Sequence, residues 1–211
     1  IASSLVRQWS DPHSLLALIL QLQGDYSNAA AEYQQTLELS PGADSARLGL
    51  HDLLEFLGRH PEFELETGKV RSAAQKLVDL EPDDYAGRWM LGRTLAADGE
   101  EAQAIEQFRN ALELNSQQPE IAAELALLLV TTEQTELRDA QEAIKLAQAA
   151  CEAMEYTHIE HLKTLATAQA EAGEYAAATT SLRRALHLAQ ISENEHEIRR
   201  LSSQIDRYAN R

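Results

Sequence analysis

Small and apolar side chains recur at helical spacing after three glycines of this chain. After Gly99 they stand at Ala104, Phe108, Ala111 and Leu114, in steps of four, three and three. The same steps follow two other glycines, with Ala29, Tyr33, Thr36 and Leu39 after Gly24, and Ala178, Leu182, Ala185 and Leu188 after Gly173. Steps of three and four keep side chains on one face of an α-helix. The pattern predicts an amphipathic helix after each glycine, and a similar apolar pattern predicts a helix before it.

Four glycines indicate the length of a repeated unit. Gly24, Gly58, Gly99 and Gly173 are separated by 34, 41 and 74 residues, and the last interval is 34 plus 40. A unit of 34 residues with small insertions fits all three intervals, and a fixed period of this size is typical of stacked helical hairpins. Glycine accepts a left-handed backbone at low cost, so each of the four is predicted to end the first helix of a hairpin.

The unit resembles the tetratricopeptide repeat, a helix–turn–helix of 34 residues. Three stretches carry the resemblance most clearly. They match at Leu16, Ala17, Leu20, Gly24, Tyr26, Ala29, Tyr33 and Pro41; at Leu91, Gly92, Leu95, Gly99, Ala104, Phe108 and Ala111; and at Leu162, Leu165, Ala166, Gly173, Tyr175, Ala178, Leu182 and Ala185. The resemblance implies an all-α, right-handed solenoid of about five hairpins. Their expected bounds are 10–43, 44–84, 85–118, 119–158 and 159–191.

The remaining segments depart from the repeat. Residues 1–9 are expected to be the end of an upstream helix or an N-terminal cap, and residues 192–211 to form a capping helix. That helix is predicted to begin with a capping box between Ser192 and Glu195. The second unit carries an insertion, RHPEFELETGK at 59–69, which is either a partner-specific edge or a lengthened turn.

Composition narrows the classes of partner. The 211 residues include 34 acidic and 18 basic side chains, giving a net charge of −16. Such a field repels nucleic acid and anionic membrane surfaces and attracts basic segments of proteins. No stretch approaches the roughly 20 apolar residues of a membrane helix. We therefore expect a soluble chain, with the cytoplasm favoured over the periplasm or secretion and the compartment left open.

Signals for catalysis are absent from the sequence. It has no phosphate-binding glycine loop, nucleophile elbow or H-E-x-x-H motif. Cys151 has no partner cysteine and is interpreted as a small packing residue. His158 and His161 have a spacing that a metal site uses, but zinc requires three or four ligands. We expect no enzyme activity, no cofactor and no metal.

The resemblance implies a partner-binding groove lined by the first helix of each hairpin. Carried onto this chain, the groove residues are Leu18, Leu22, Leu48, Asp52, Glu55, Phe56, Trp89, Arg93, Leu127, Thr131 and Lys163. Trp89 is interpreted as an anchor of binding, with packing between neighbouring units as the alternative. The implied function is that of a scaffold or adaptor that holds an extended peptide or a helix of a partner protein.

Two other functions fit the same sequence. The chain could be a regulatory or substrate-presenting domain of a larger enzyme or multiprotein assembly. It could also self-associate through residues 1–9.

Overall fold

The computed structural model describes residues 12–60 and 66–211, and all regular structure in them is helical. The predicted all-α class is confirmed. The chain divides into two compact units, residues 1–116 and 117–211. The predicted N-terminal segment 1–9 and residues 61–65 of the insertion lie outside the described residues. The hairpin bounds inferred from the repeat stay a prediction.

Eleven α-helices lie in the described residues. The first unit contains α1 (Pro12–Leu22), α2 (Tyr26–Leu39), α3 (Asp44–Arg59), α4 (Thr67–Leu80), α5 (Tyr85–Ala97) and α6 (Glu101–Leu114). The second contains α7 (Pro119–Thr131), a short 3-10 helix (Thr135–Leu137), α8 (Ala140–Ala153), α9 (Ile159–Glu171), α10 (Tyr175–Ile191) and α11 (Glu195–Ala209).

Most consecutive helices pair as hairpins, but the second hairpin of the first unit differs. Helix α1 packs on α2, α5 packs on α6 and α3 packs on α5, whereas α1 contacts α3 only slightly. Helices α3 and α4, the two helices of the second hairpin, also touch only slightly. Helix α4 packs mainly on α2 and α5, and α3 packs mainly on α2 and α5 as well. The second hairpin is therefore held in place by its neighbours more than by its own two helices.

Glycines on the first helices make room for aromatic rings. A Cβ atom added to Gly49 would lie 2.7 Å from the ring of Tyr33, and one added to Gly92 would lie 2.8 Å from the ring of Phe108. Both rings are almost completely buried. The helices approach closely at these points because the glycines lack a side chain, and each ring fills the space that remains.

Five turns between helices share one geometry. Gly24, Gly99 and Gly173 each have φ of +80°, as predicted, and Glu155 and Glu193 occupy the equivalent places with φ of 50° and 53°. In all five turns, the residue directly after this left-handed residue donates its amide to the carbonyl of the residue five positions before itself, at 2.7–3.0 Å. This is the bond that satisfies a free carbonyl at a helix C-terminus. The prediction for Gly58 is wrong, because Gly58 lies inside α3.

The last helix begins differently from the prediction. Asn194 is the N-cap of α11, and its side chain accepts a hydrogen bond from the amide of Glu197 at 3.1 Å. Ser192 instead closes α10, where its hydroxyl donates to the carbonyls of Leu188 and Ala189. The predicted capping box at Ser192 is therefore wrong. Helix α11 packs on α10 through the buried side chain of Leu201.

Candidate functional site

Exposed leucines lie on the first helices of the first unit. Leu22 on α1 is 81% exposed and Leu48 on α3 is 53% exposed, while Leu18 is half-buried. Each is one of the predicted groove residues. Exposed apolar side chains that form a contiguous patch are typical of a surface that a partner covers. Three further exposed side chains of α1 were not predicted: Leu15, Leu16 and Ile19.

Helix α3 places a mixed row of side chains beside these leucines. Leu48, Asp52, Glu55 and Phe56 follow one another at helical steps of four, three and one, and so share one face of the helix. We call Leu18 and Leu22 of α1, together with these four residues, the first-helix face. Helix α1 contacts α3 only slightly, so the two rows belong to helices that meet at few positions.

Aromatic rings extend this face at the end of α3. The ring centroid of Phe56 lies 5.4 Å from that of Tyr26 and 4.4 Å from that of His60. All three side chains are half-buried. Phe56 belongs to the predicted set, whereas Tyr26 and His60 do not. Tyr26 begins α2 and His60 directly follows α3, so each is an aromatic side chain at a helix end.

The two carboxylates of the face differ in their surroundings. Glu55 lies 2.8 Å from the Arg59 guanidinium, and burial together with a hydrogen bond to Glu55 raises the pKa of Tyr85 to about 12. Asp52 is exposed, and no ion pair to it occurs among the described residues. Burial, with the Asp52 charge nearby, raises the pKa of Tyr33 to about 12. Asp52 is therefore the carboxylate of the face that remains open to an incoming cation.

A part-buried pair of His51 and Asp84 lies beside the face. His51 Nδ1 lies 2.6 Å from Asp84 Oδ2, and the side chain of Asp84 is only 5% exposed. The other oxygen of Asp84 accepts the amide of Gly87 at 2.7 Å and so caps α5. The hydrogen bond to Asp84 raises the pKa of His51, although burial opposes it, and Glu55 and Asp52 add to the rise. The pair joins α3 to the start of α5.

The raised pKa of His51 predicts a stability that depends on pH. Its stabilisation is fully present below the ordinary histidine pKa of about 6.5 and is lost as pH rises through the higher folded value. His51→Asn keeps a neutral donor near the Nδ1 position. We expect the free energy of unfolding of this variant to be lower than wild type by about 1 kcal/mol in mild acid, with a smaller difference in mild alkali.

Urea unfolding at a series of pH values measures this difference. His196→Asn is the matched control, because His196 is an exposed histidine on α11, and its curve should run parallel to wild type. A constant gap between His51→Asn and wild type at all pH values would show that the charge of His51 does not contribute.

Two predicted groove residues of α5 have structural contacts instead. Trp89 is 0% exposed, so its predicted place in the groove is wrong. Its ring covers Gly58, where an added Cβ would lie only 2.5 Å away, and the missing side chain is the reason the ring fits. Arg93 is half-buried, and its Nη1 donates to the carbonyls of Leu57 at 2.8 Å and Gly58 at 3.4 Å. This guanidinium satisfies the C-terminal carbonyls of α3.

The predicted groove residues of the second unit are described separately. Leu127 is exposed, and Thr131 is exposed with its hydroxyl donating to the Leu127 carbonyl at 2.8 Å. Lys163 Nζ lies 2.9 Å from carboxylate oxygens of both Glu160 and Glu197. Although burial opposes it, these hydrogen bonds raise the pKa of Lys163. Lys163 is thus already paired within the chain.

The residues considered for chemistry belong to the second unit. Cys151 is buried, which raises the pKa of its thiol to about 11. The rings of His158 and His161 stack at 5.3 Å, and burial together with the neighbouring His158 lowers the pKa of His161. Among the described residues, no group of three or more potential ligands is placed to hold a metal ion. In the same part of the chain, no helix is both long and apolar enough to cross a membrane.

Comparison with known proteins identifies the repeat. The family model described as tetratricopeptide repeat matches residues 11–42 and 86–118. No curated protein matches the chain at a significant level. Many solved structures match, and they are similar in fold.

Three of these solved structures cover most of the chain. YrrB, described as a tetratricopeptide-repeat protein with an unusual peptide-binding site, is 17% identical, with a TM-score of 0.65 over 96% of each chain. MamA is 17% identical, with a TM-score of 0.64 over 84% of this chain and 96% of its own. TTC0263, a thermophilic tetratricopeptide-repeat protein of Thermus thermophilus, is 18% identical, with a TM-score of 0.55 over 92% of this chain and 97% of its own.

Proposed function

Tetratricopeptide repeats match residues 11–42 and 86–118 of this chain, and on that premise we propose that it binds a peptide or helix of a partner protein on the first-helix face. Such repeats typically serve as interaction modules without chemistry of their own. The repeat and the fold therefore support a general function in protein–protein interaction. One observation supports the proposal that the partner binds on the first-helix face. Leu22 and Leu48 are exposed on the first helices of two successive hairpins, and Asp52 shares the face of α3 with Leu48 and has no ion pair among the described residues.

The composition of the face favours a segment that is both apolar and basic. Burial of an exposed leucine contributes about 1.5–3 kcal/mol, so Leu22 and Leu48 can supply most of the affinity. Asp52 adds a place for a lysine or arginine, whereas the charge of Glu55 is already offset by Arg59. The overall charge of −16 attracts such a segment and speeds its arrival.

The proposal is tested with peptides selected from a displayed library of short random sequences on the immobilised wild-type chain. We expect the selected peptides to combine apolar and basic residues. The variant Leu22→Ser/Leu48→Ser should weaken their binding by about tenfold or more in fluorescence anisotropy, because both anchors are lost. Asp52→Asn should weaken binding less and reduce its dependence on salt.

Two exposed leucines of the same unit supply the matched control. Leu39 at the end of α2 is 68% exposed and Leu114 at the end of α6 is 41% exposed. Leu39→Ser/Leu114→Ser should change the affinity by less than about twofold. Equal losses in the two double variants, at equal helicity by circular dichroism, would contradict binding on the first-helix face.

A further inference from the structure

Basic side chains are concentrated in the last two helices of an otherwise acidic chain. Residues 175–211 contain six arginines and four carboxylates, although carboxylates outnumber cations in the whole chain by 34 to 18. Helix α10 alone carries Arg183, Arg184 and His187 and has no acidic residue. A cationic helix is unexpected in a chain whose net charge is −16, and it concentrates positive charge in one place.

These side chains line a cleft in the second unit. An open cavity of about 600 Å³ is bounded by Tyr156, Thr180, Arg183, Arg184, His187 and Leu188. The Arg184 guanidinium carbon lies 4.9 Å from the centroid of the Tyr156 ring, which holds the guanidinium over an aromatic face. Leu188 is half-buried and adds an apolar wall, while Arg183 and His187 are exposed.

An unusual turn supplies the aromatic wall. Glu155 and Tyr156 follow α8 with φ of 50° and 57°. Both residues therefore have a left-handed backbone conformation, which residues other than glycine disfavour. The amide of Tyr156 donates to the Cys151 carbonyl at 2.7 Å, which closes the turn. Two successive left-handed residues bring the Tyr156 ring to Arg184, and this contact defines one side of the cleft.

The arginines of the cleft have no carboxylate partner within the described residues. No ion pair involves Arg183 or Arg184 there, whereas Arg47, Arg59 and Arg71 each contact at least one carboxylate. A guanidinium that stacks on a ring and keeps its donors open suits a carboxylate, which it can bind with two parallel hydrogen bonds. The Thr180 and His187 side chains offer further polar contacts at the edge.

We propose that this cleft binds an acidic peptide segment of a partner protein, with a carboxylate on Arg183 and Arg184 and an adjoining apolar side chain against Tyr156 and Leu188. The site is independent of the first-helix face, because it lies in the other unit and has the opposite charge preference. A peptide is favoured over an extended polyanion because the rest of the chain is strongly acidic and repels a nucleic acid or an anionic bilayer.

The test uses the full chain and a fluorescein-labelled peptide of alternating glutamate and leucine. Its counterpart, in which glutamine replaces glutamate, reports the contribution of charge. We expect the wild type to bind the glutamate peptide about tenfold or more tightly than the glutamine peptide in fluorescence anisotropy. Arg183→Gln/Arg184→Gln should lose that preference, and Tyr156→Leu should lose part of the affinity.

Arg199→Gln/Arg207→Gln is the matched control, because it removes two exposed arginines from α11 and so changes the net charge equally. This variant should retain the affinity of the wild type for the glutamate peptide to within about twofold. Equal weakening in both double variants would overturn the proposal, as would equal binding of the two peptides. Binding to phosphatidylserine vesicles that requires Arg183 and Arg184, without binding to the glutamate peptide, would also overturn it.

Discussion

Trp89→Ala is expected to lower the free energy of unfolding by about 3–5 kcal/mol, because it leaves a large cavity between α3 and α5. The indole is 0% exposed and covers the backbone of Gly58, so no solvent replaces the lost contacts. A loss of this size is a large part of the total stability of a typical domain. Urea unfolding followed by circular dichroism measures it directly.

Leu22→Ala gives the reference for an exposed side chain. Leu22 is 81% exposed, and its removal should change the stability by less than about 0.5 kcal/mol. A loss below about 1 kcal/mol in Trp89→Ala would show that the ring is not packed as described. A binding defect of Trp89→Ala would report on folding, since a buried ring cannot contact a partner directly.

Gly58→Ala is expected to destabilise the same contact from the other side. An added Cβ would lie 2.5 Å from one atom of the Trp89 ring and 2.7 Å from two others, closer than real Cβ atoms approach. Overpacking of this kind costs about 1–3 kcal/mol. Alanine is otherwise the better helix former by about 1 kcal/mol, so a loss must come from the clash. Thermal and urea unfolding both measure the effect.

Gly68→Ala on α4 separates the clash from the helix preference. An added Cβ there meets nothing within 4 Å, and this variant should be as stable as wild type or slightly more stable. Combining Gly58→Ala with Trp89→Leu should cost less than the sum of the two single changes, because the smaller side chain frees the space. Additive losses would mean that the two residues do not interact.

The repeat was readable in the sequence because its period and its glycines are both local signals. The left-handed turns at Gly24, Gly99 and Gly173 follow from the preference of glycine for that conformation. Glu155 and Glu193 take the same place without the glycine, so only the three-dimensional structure reveals that their turns are equivalent. Gly58, by contrast, lies within a helix, where the absence of a side chain leaves room for the Trp89 ring.

The candidate site was predicted less completely than the fold. Helical spacing correctly places Leu48 and Asp52 on one face of α3, because that relation is local. Trp89 was misplaced because its burial depends on the absence of a side chain at Gly58, which is 31 residues earlier. Arg93 and Lys163 have charged or polar partners on other helices, and a sequence without coordinates does not show those partners.

The slight contact between α3 and α4 has a consequence for how the first unit folds. A hairpin whose two helices pack on each other can form early, because only a short loop has to close. The second hairpin lacks that local route, since α3 depends on α2 and α5 and α4 depends on the same two helices. Its folding nucleus must therefore join segments that are distant along the chain. Loss of α2 or α5 would remove one of the two helices on which both α3 and α4 pack.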